Sequence, residues 1–226
     1  MGQINKLLDQ AKAASHNPNQ FGYELSTCNG AVTDQQKQAE IFAACCKAIC
    51  GTFTVDAYNR SLLNEIFKYA NGKSTVFDSK RGLWLYGTIG TGKTSLIKIL
   101  REYDAKVKGR TPNGYLIGGY GIYSASTVIN QFSRLGLDGI DLYCFKKQTC
   151  AFDEIGREPL PAKYYGTEMN VMQYVFQMRY DMRNDCLTHV TTNLTPDQIG
   201  SVYGDYIADR VNEMFNVIEL KGLSRR

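Results

Sequence analysis

The most informative stretch of the chain is Gly87-Thr88-Ile89-Gly90-Thr91-Gly92-Lys93-Thr94. It matches the phosphate-binding pattern G-x-x-x-x-G-K-[ST] at every fixed position. The apolar run Gly82–Tyr86 precedes it and predicts a buried strand, and the amphipathic residues from Ser95 onward predict a helix. The sequence therefore predicts a strand, a glycine-rich loop and a helix in the order that phosphate binding requires.

The residue types of this loop explain how it would hold a triphosphate. Glycines let successive backbone N–H groups point at phosphate oxygens, and the positive end of the following helix adds to the attraction. We expect Lys93 to reach the β- and γ-phosphates and the Thr94 hydroxyl to bind Mg²⁺. The predicted ATP-binding residues are Gly87, Thr88, Ile89, Gly90, Thr91, Gly92, Lys93, Thr94, Ser95 and Asp153.

Two acidic residues follow a second buried-strand candidate, Thr149–Phe152. Carboxylates at the carboxyl end of a strand lie at the edge where doubly wound sheets bind ligands. We expect Asp153 to hold Mg²⁺ together with Thr94, and Glu154 to orient or deprotonate an attacking water. An adjacent pair of acids with separate tasks indicates ATP hydrolysis rather than nucleotide storage.

A third strand candidate, Leu187–Thr192, ends at Asn193, whose amide we expect at the same edge of the sheet. Thr195 and Gln198 have the spacing of a capping box and predict a helix start, with Pro196 at its first position. Residues 203–211 predict a further helix and 216–220 a last strand.

Two arginines near the end of the chain are candidates for neutralising charge on a transferred phosphoryl group, Arg210 and Arg225. A surface ion pair between Arg210 and Asp205 or Asp209 is the structural alternative for the first of them.

Length and composition suit one α/β domain with a short accessory segment, since the chain has 226 residues, of which 43% are hydrophobic. We predict a helical, partner-binding segment over residues 1–52 and the main domain over 53–226. Ile4, Leu7, Leu8 and Ala11 form one apolar stripe, and further helices are expected over 34–50 and from Asp56 to Ala70.

Several classes are disfavoured by the same sequence. No apolar run approaches the roughly 18 residues of a membrane helix, and no signal peptide begins the chain, so we expect a cytoplasmic protein without membrane contact. The seven cysteines are expected to be reduced thiols. A zinc site that combines Cys28 with residues from Cys45, Cys46 and Cys50 stays an open alternative. The net charge of +4 permits contact with nucleic acid but does not demonstrate it.

Taken together, five motifs resemble the bacterial helicase-loader group of AAA+ ATPases (DnaC-like) and the related transposition helper ATPases (IstB-like). They are, in chain order, Gly82–Thr94, Phe152–Gly156, Thr191–Leu194, Tyr203–Arg210 and Gly222–Arg226. The resemblance runs from about Phe53 to the end of the chain.

This resemblance implies an AAA+ P-loop NTPase core, with a five-stranded parallel sheet flanked by helices and no C-terminal helical lid. It also implies that ATP binds with Mg²⁺ between subunits of a ring or spiral. By the same resemblance, Lys93 and Thr94 are the Walker A contacts and Asp153 and Glu154 the Walker B pair. Asn193 would then be sensor 1, Arg210 the arginine finger and Arg225 sensor 2, although Arg226 could take the place of Arg225.

The implied partners are a replicative DNA helicase and single-stranded DNA. Two segments are candidates for DNA contact, Lys106–Arg110 and the pair Lys146-Lys147 with Tyr143 and Phe145 for base stacking. Three other functions stay open at this point. They are a transposition helper that binds duplex DNA, a small-molecule kinase, and a nucleotide-gated binding module with negligible turnover.

Overall fold

The computed structural model of the chain describes residues 31–51, 55–57, 59–111, 113 and 115–222. The predicted N-terminal helix and its apolar stripe lie outside these residues. The chain divides into two compact units, one of residues up to Ser79 with Ser95–Gly119, and one of Lys80–Thr94 with the residues from Tyr120 onward. The boundary between residues 52 and 53 stays a prediction.

The first unit is helical. It contains α1 (Gln35–Ile49) and α2 (Arg60–Ala70), together with most of α3 (Lys93–Lys108). Its core is a cluster of three aromatic rings, in which Phe42 lies edge-on to Phe67 at 5.4 Å and to Tyr103 at 5.3 Å between ring centroids. The carboxylate of Asp34 accepts a hydrogen bond from the N–H of Lys37 at 2.7 Å and so caps α1.

The predicted start of the second helix at Asp56 is wrong, because α2 begins at Arg60 after Asn59. Asp56 and Asn59 bond each other instead. The Asn59 side chain accepts from the N–H of Asp56 at 2.9 Å, and the Asp56 carboxylate accepts from the N–H of Asn59 at 3.0 Å. Short polar side chains of this kind compete with helix formation and close a turn before the helix.

The described residues of the second unit form seven strands: β1 (Gly82–Tyr86), β2 (Gly121–Ser124), β3 (Cys150–Ile155), β4 (Ala162–Tyr164), β5 (Thr167–Met169), β6 (Thr188–Thr192) and β7 (Phe215–Glu219). Five of them form one parallel sheet in the order β2-β3-β6-β1-β7. The predicted five-stranded parallel sheet is therefore confirmed. Strands β4 and β5 form a separate antiparallel hairpin, which the sequence did not predict because each strand has only three residues.

The other helices of the second unit are α4 (Ala125–Leu135), α5 (Asp141–Phe145), α6 (Val171–Asp181), α7 (Pro196–Tyr203) and α8 (Asp205–Met214). Trp84, Phe152 and Val190 point from adjacent strands into one apolar core with residues of α4, α6 and α8. Trp84 lies 5.2 Å from Phe215 and 5.9 Å from Phe176 between ring centroids. Burial of these large apolar side chains stabilises the layered α/β arrangement.

Two predicted element bounds change in ways that matter for the site. Strand β3 continues through Asp153 and Glu154 to Ile155, and its pairing with β6 is irregular, since the step from Phe152 to Ile155 faces the step from Val190 to Thr192. One extra residue of β3 is thus inserted opposite β6, which is a β-bulge. The helix predicted over 203–211 is interrupted at Gly204, whose φ of +85° ends α7 and starts α8.

The predicted start of the helix after β6 is confirmed. The Gln198 side chain accepts from the N–H of Thr195 at 2.9 Å, and Pro196 is the first residue of α7, as the capping pattern predicts. None of the helices formed by the described residues is long and apolar enough to cross a membrane. No helix follows β7 in the part of the chain that the structure describes, which ends at Gly222.

The cysteines of the first unit do not form a metal centre within the described ranges, where no group of three or more His, Cys, Asp or Glu residues could hold an ion. Cys45 and Cys46 are buried, and burial raises the pKa of the Cys45 thiol to about 11 and the pKa of Cys46 further. Both thiols therefore stay protonated near neutral pH. The cysteine at position 28 lies outside the described residues.

Candidate nucleotide site

The loop between β1 and α3 needs its glycines for backbone conformation. Gly87, Gly90 and Gly92 have φ angles of +138°, +86° and +94°, a region that residues with a side chain rarely adopt. A Cβ on Gly87 would also lie 2.5 Å from the carbonyl oxygen of Leu220, whereas a Cβ on Gly92 would meet no atom within 4 Å. The loop is thus packed against the chain at Gly87 and has open space beside Gly92, where a ligand can approach the backbone.

Lys93 is 8% exposed, and its ammonium group lies over the loop. Its Nζ donates to the carbonyl oxygens of Gly87 at 2.7 Å and Thr88 at 2.8 Å. A positive charge is therefore held between the loop backbone and the N-terminus of α3. Both the charge and the helix end attract an anion.

The Asp153 carboxylate accepts hydrogen bonds from hydroxyl groups on two different elements. Thr94, at the start of α3, donates from Oγ1 to Asp153 Oδ1 at 2.8 Å, and Thr191 of β6 donates to the same oxygen. The Thr191 hydroxyl also accepts from the N–H of Glu154 at 3.0 Å. The structure thus brings Thr94 and Asp153 together as the sequence predicts. Thr191 was missed, because a threonine in an apolar strand reads as a strand-forming residue.

Glu154 has an unusual backbone. Its φ of +59° lies in the left-handed region, which a non-glycine residue enters at a cost of about 1–3 kcal/mol. Its carboxylate is half exposed and forms an ion pair with Arg157, with Nη1 and Oε1 2.8 Å apart. Arg157 was not among the predicted site residues, and the motif gave no signal for it.

Asn193 follows β6 directly and is exposed. Strand β6 lies between β3 and β1 in the sheet, so Asn193, Glu154 and the glycine-rich loop all lie at the carboxyl ends of adjacent parallel strands. The Thr192 hydroxyl joins two of these ends by donating to the carbonyl oxygen of Ile155 at 2.7 Å and accepting from the N–H of Leu194 at 3.0 Å. Asn193, Glu154 and the glycine-rich loop therefore share one edge of the sheet.

Arg210 is held by aromatic rings. Its Cζ lies 4.1 Å from the ring centroid of Tyr180 and 3.1 Å from that of Tyr206, and Nη1 is buried without a hydrogen-bond partner. Within the described residues it forms no ion pair with Asp205 or Asp209, so that alternative is wrong. The second candidate arginine, Arg225, lies outside the described residues, as does Arg226. Among the predicted ATP-binding residues, Ser95 lies in the first turn of α3, directly after Thr94.

The predicted base-stacking role of Tyr143 is wrong. Its side chain is buried, and its ring packs against Tyr123 at 4.8 Å between centroids. Its neighbour Phe145 is 52% exposed, and Lys147 forms an ion pair with Asp185 at 2.9 Å. The other candidate segment, Lys106–Arg110, lies at the end of α3, where Lys108 pairs with Asp104 at 2.9 Å.

The donor set fits a magnesium-bound triphosphate. Both threonine hydroxyls bond to Oδ1 of Asp153, which leaves Oδ2 without a hydrogen-bond partner among the described residues. A carboxylate and a hydroxyl 2.8 Å apart are hard oxygen ligands of the kind that Mg²⁺ prefers. The loop backbone and Lys93 supply the complementary positive potential for phosphate oxygens.

Comparison with known proteins by sequence gives no match, either to protein-family models or to curated proteins. Comparison by structure finds several similar proteins. DnaI matches with a TM-score of 0.55 and 19% identity over 79% of this chain and 89% of that chain. A primosome component from Streptococcus pyogenes serotype M3, described as putative in its own structure, matches with a TM-score of 0.57 and 18% identity over 87% and 94%.

Two further structures are similar. The DnaC helicase loader has a TM-score of 0.55 and 18% identity over 76% of this chain and 96% of that chain. The replication initiator DnaA, bound to AMPPCP and single-stranded DNA, has a TM-score of 0.52 and 16% identity, and the match covers 49% of DnaA. At these identities the likeness establishes the fold.

The sheet order, the glycine-rich loop and the acidic strand end define the fold class of the P-loop NTPases. Within that class, the fold of the chain is similar to the folds of DnaI and of the DnaC helicase loader.

Thr191→Val should destabilise the second unit. The substitution retains the shape of the side chain but removes the donor to Asp153 and the acceptor for the N–H of Glu154. We expect the free energy of unfolding to fall by about 1–3 kcal/mol, as measured by urea denaturation. Thr191→Ser, which retains the hydroxyl, is the control and should stay close to wild type. Equal loss in both variants would contradict the hydrogen-bonding role.

Proposed function

We propose that the chain is a magnesium-dependent ATPase that acts in DNA replication by loading a replicative helicase onto single-stranded DNA. The observation that carries the ATPase part is the contact between Thr94 of the loop and Asp153 of β3, at 2.8 Å, with Glu154 as the next residue. This contact would join a phosphate-binding element to a carboxylate that suits Mg²⁺, beside the half-exposed carboxylate of Glu154, which would act on water.

ATP binding would rest on residues 87–95 and on Asp153. The loop N–H groups and the Lys93 ammonium would neutralise phosphate charge, and the oxygens of Thr94 and Asp153 would fix the metal. Bound Mg²⁺ would supply charge neutralisation between the β- and γ-phosphate oxygens. Asp153 accepts both hydroxyl hydrogen bonds at Oδ1, so Oδ2, which has no hydrogen-bond partner among the described residues, would bind the metal.

Hydrolysis would depend on Glu154 and Asn193. Glu154 would accept a proton from the attacking water, and the amide of Asn193 would hold that water against the γ-phosphate. Support comes from the common edge on which both residues lie. The ion pair with Arg157 is solvent-exposed, and such pairs contribute only about 0–1 kcal/mol. Glu154 can therefore leave this pair at small cost.

Arg210 would serve the site of a neighbouring copy. Tyr180 and Tyr206 hold its guanidinium between their rings, and no carboxylate of the described residues neutralises it. A guanidinium held in this way keeps its charge for a phosphate oxygen across a subunit interface. Self-association into a ring or spiral, and a sensing role for Arg225, belong to the same proposal.

The helicase-loading part rests on the likeness to DnaC and DnaI, together with the order of the five sequence motifs. The segment of residues 1–52, which we predict to be helical and partner-binding, would contact the helicase. Single-stranded DNA is the proposed second partner, with Phe145 and Lys146 as candidate contacts, since Tyr143 is buried.

Glu154→Gln should bind ATP with an affinity within a few-fold of wild type and lose turnover. Gln retains the shape of the side chain but is a poor proton acceptor, so we expect kcat to fall by about 10²–10⁴-fold. Lys93→Ala is the contrasting variant and should lose nucleotide affinity itself. Steady-state phosphate release and binding of a fluorescent ATP analogue separate the two effects. Wild-type turnover in Glu154→Gln would overturn the assignment of this carboxylate.

Arg210→Ala should bind ATP normally and lose the turnover that depends on assembly, by about 10³-fold. Mixing this variant with Glu154→Gln tests action across an interface. An intact Glu154 in one copy would then meet an intact Arg210 in another, so part of the activity should return. Full activity of Arg210→Ala in the assembled state, or no recovery in the mixture, would refute the proposed role in trans.

A capture experiment tests helicase loading. The tagged protein, held with ATP-γ-S or with ADP, should co-purify a hexameric helicase in only one nucleotide state, and Lys93→Ala should lose that dependence. The purified helicase should then unwind a forked substrate coated with single-strand-binding protein only when this chain and ATP are added. Preference for duplex DNA without helicase capture would reject this proposal in favour of a transposition helper.

A further inference from the structure

The turn after β3 contains a buried carboxylate that the ATPase proposal does not use. Glu158 is 6% exposed, and both of its oxygens accept hydrogen bonds. Oε2 accepts from the N–H of Gly156 at 2.7 Å, and Oε1 accepts from the hydroxyl of Tyr203. None of the ion pairs found among the described residues includes Glu158.

A buried carboxylate without a cationic partner is costly for stability, and an apolar side chain of similar size would serve packing better. The two hydrogen bonds therefore explain why a carboxylate occupies this buried position. One partner, Gly156, is 2 residues from Glu158 along the chain, and the other, Tyr203, is 45 residues away. Glu158 thus links the turn after β3 to the end of α7.

The first of these places is the turn that carries Glu154. Glu154 and Gly156 have φ angles of +59° and +90°, so two of the three residues from 154 to 156 have a positive φ. A Cβ on Gly156 would lie 2.6 Å from Cδ1 of Leu194, the residue after Asn193. The N–H of Gly156 is fixed by Glu158, and the N–H of Glu154 by Thr191. The backbone of the turn is thus held on both sides of Ile155.

The second place is the junction of α7 and α8. Tyr203 is fully buried and is the last residue of α7, one residue before the break at Gly204. Burial and the nearby carboxylate of Glu158 raise the pKa of Tyr203 above its usual value, so its hydroxyl remains a donor throughout the physiological range. Helix α8, which begins after this break, carries Arg210.

We propose that Glu158 is a positioning residue, which holds the turn at residues 154–156 so that the Glu154 carboxylate keeps the orientation needed to act on water. Glu158 touches neither nucleotide nor water in this role and transfers no proton. The bond to Tyr203 anchors it to the α7–α8 junction. The inference rests on the proposed ATPase function and adds a residue to it that the nucleotide-binding motifs do not include.

Glu158→Ala should lower kcat for ATP hydrolysis by about 10–100-fold, the loss expected when a catalytic group moves by a fraction of an ångström to about 1 Å. KM and nucleotide affinity should stay unchanged, because no predicted phosphate contact is altered. Glu158→Gln should recover most of the rate, since its amide oxygen can accept from Gly156 and its amide nitrogen can donate to the hydroxyl of Tyr203. Glu168→Ala, which removes an exposed carboxylate of the nearby β4–β5 hairpin, is the matched control and should be unaffected.

A double-mutant cycle separates positioning from a general loss of structure. If Glu158 acts through Glu154, Glu158→Ala should cause no further loss of rate in a Glu154→Gln background. An additive loss in the double variant, or a change in KM with unchanged kcat, would overturn the inference. Tyr203→Phe keeps the ring in the core and removes only the hydroxyl, so it should lower kcat several-fold. It decides the question if Glu158→Ala does not fold.

The outcomes also distinguish this inference from the function on which it rests. A wild-type protein that hydrolyses no ATP, alone or with single-stranded DNA, would refute the ATPase proposal. Hydrolysis that is abolished by Glu154→Gln but unchanged in both Glu158→Ala and Tyr203→Phe would refute only the role of Glu158.

Discussion

The Asp153 carboxylate is the point at which the glycine-rich loop and the sheet are joined. Its Oδ1 accepts hydrogen bonds from the hydroxyl groups of Thr94, at the start of α3, and of Thr191, in β6. Hydrogen bonds to an ionised acceptor are stronger than those between neutral groups, and each partner left buried and unpaired would be costly. The carboxylate therefore fixes the distance between the glycine-rich loop and the neighbouring strand ends. The positions of Glu154 and Asn193 relative to the loop follow from this contact.

The sequence predicted those parts of the site that depend on local pattern. The loop at residues 87–94, the strand before it, the acidic pair and the capping box at Thr195 each have a signal within a few neighbouring residues. Thr191 and Glu158 have no such signal, because their partners Asp153 and Tyr203 are 38 and 45 residues away along the chain. At Tyr143 the local sequence instead suggested a role that the structure contradicts, because the side chain is buried. A tyrosine beside two lysines is equally compatible with base stacking and with a core, and only the packing against Tyr123 and Phe152 decides for the core.

Arg210 and Arg179 show two ways of holding a guanidinium without a carboxylate. Arg179 is 1% exposed and donates to Thr188 Oγ1 at 2.6 Å and to the carbonyl oxygens of Gln148 at 3.0 Å and Leu187 at 3.1 Å. Its donors are used, which indicates a structural role. Arg210 is held by the faces of two tyrosine rings, and a buried Nη1 lacks an acceptor. A guanidinium whose donors are incompletely satisfied can still bind an anion, which supports the phosphate contact proposed for Arg210.

The bonds of Arg179 also explain the backbone of Glu154. They fix β3 and β6 at their amino ends, where Cys150 is paired with Thr188. At the carboxyl ends, the Thr192 hydroxyl fixes Ile155 opposite Thr192. Between Phe152 and Ile155 the chain of β3 advances one residue more than β6 does between Val190 and Thr192. With both ends fixed, the extra residue has to be absorbed at Asp153 and Glu154, and the left-handed φ of Glu154 is the result. The bulge lets Asp153 accept from Thr94 and Thr191 while Glu154 turns its carboxylate to the exposed edge, so two adjacent acids of one strand reach different partners.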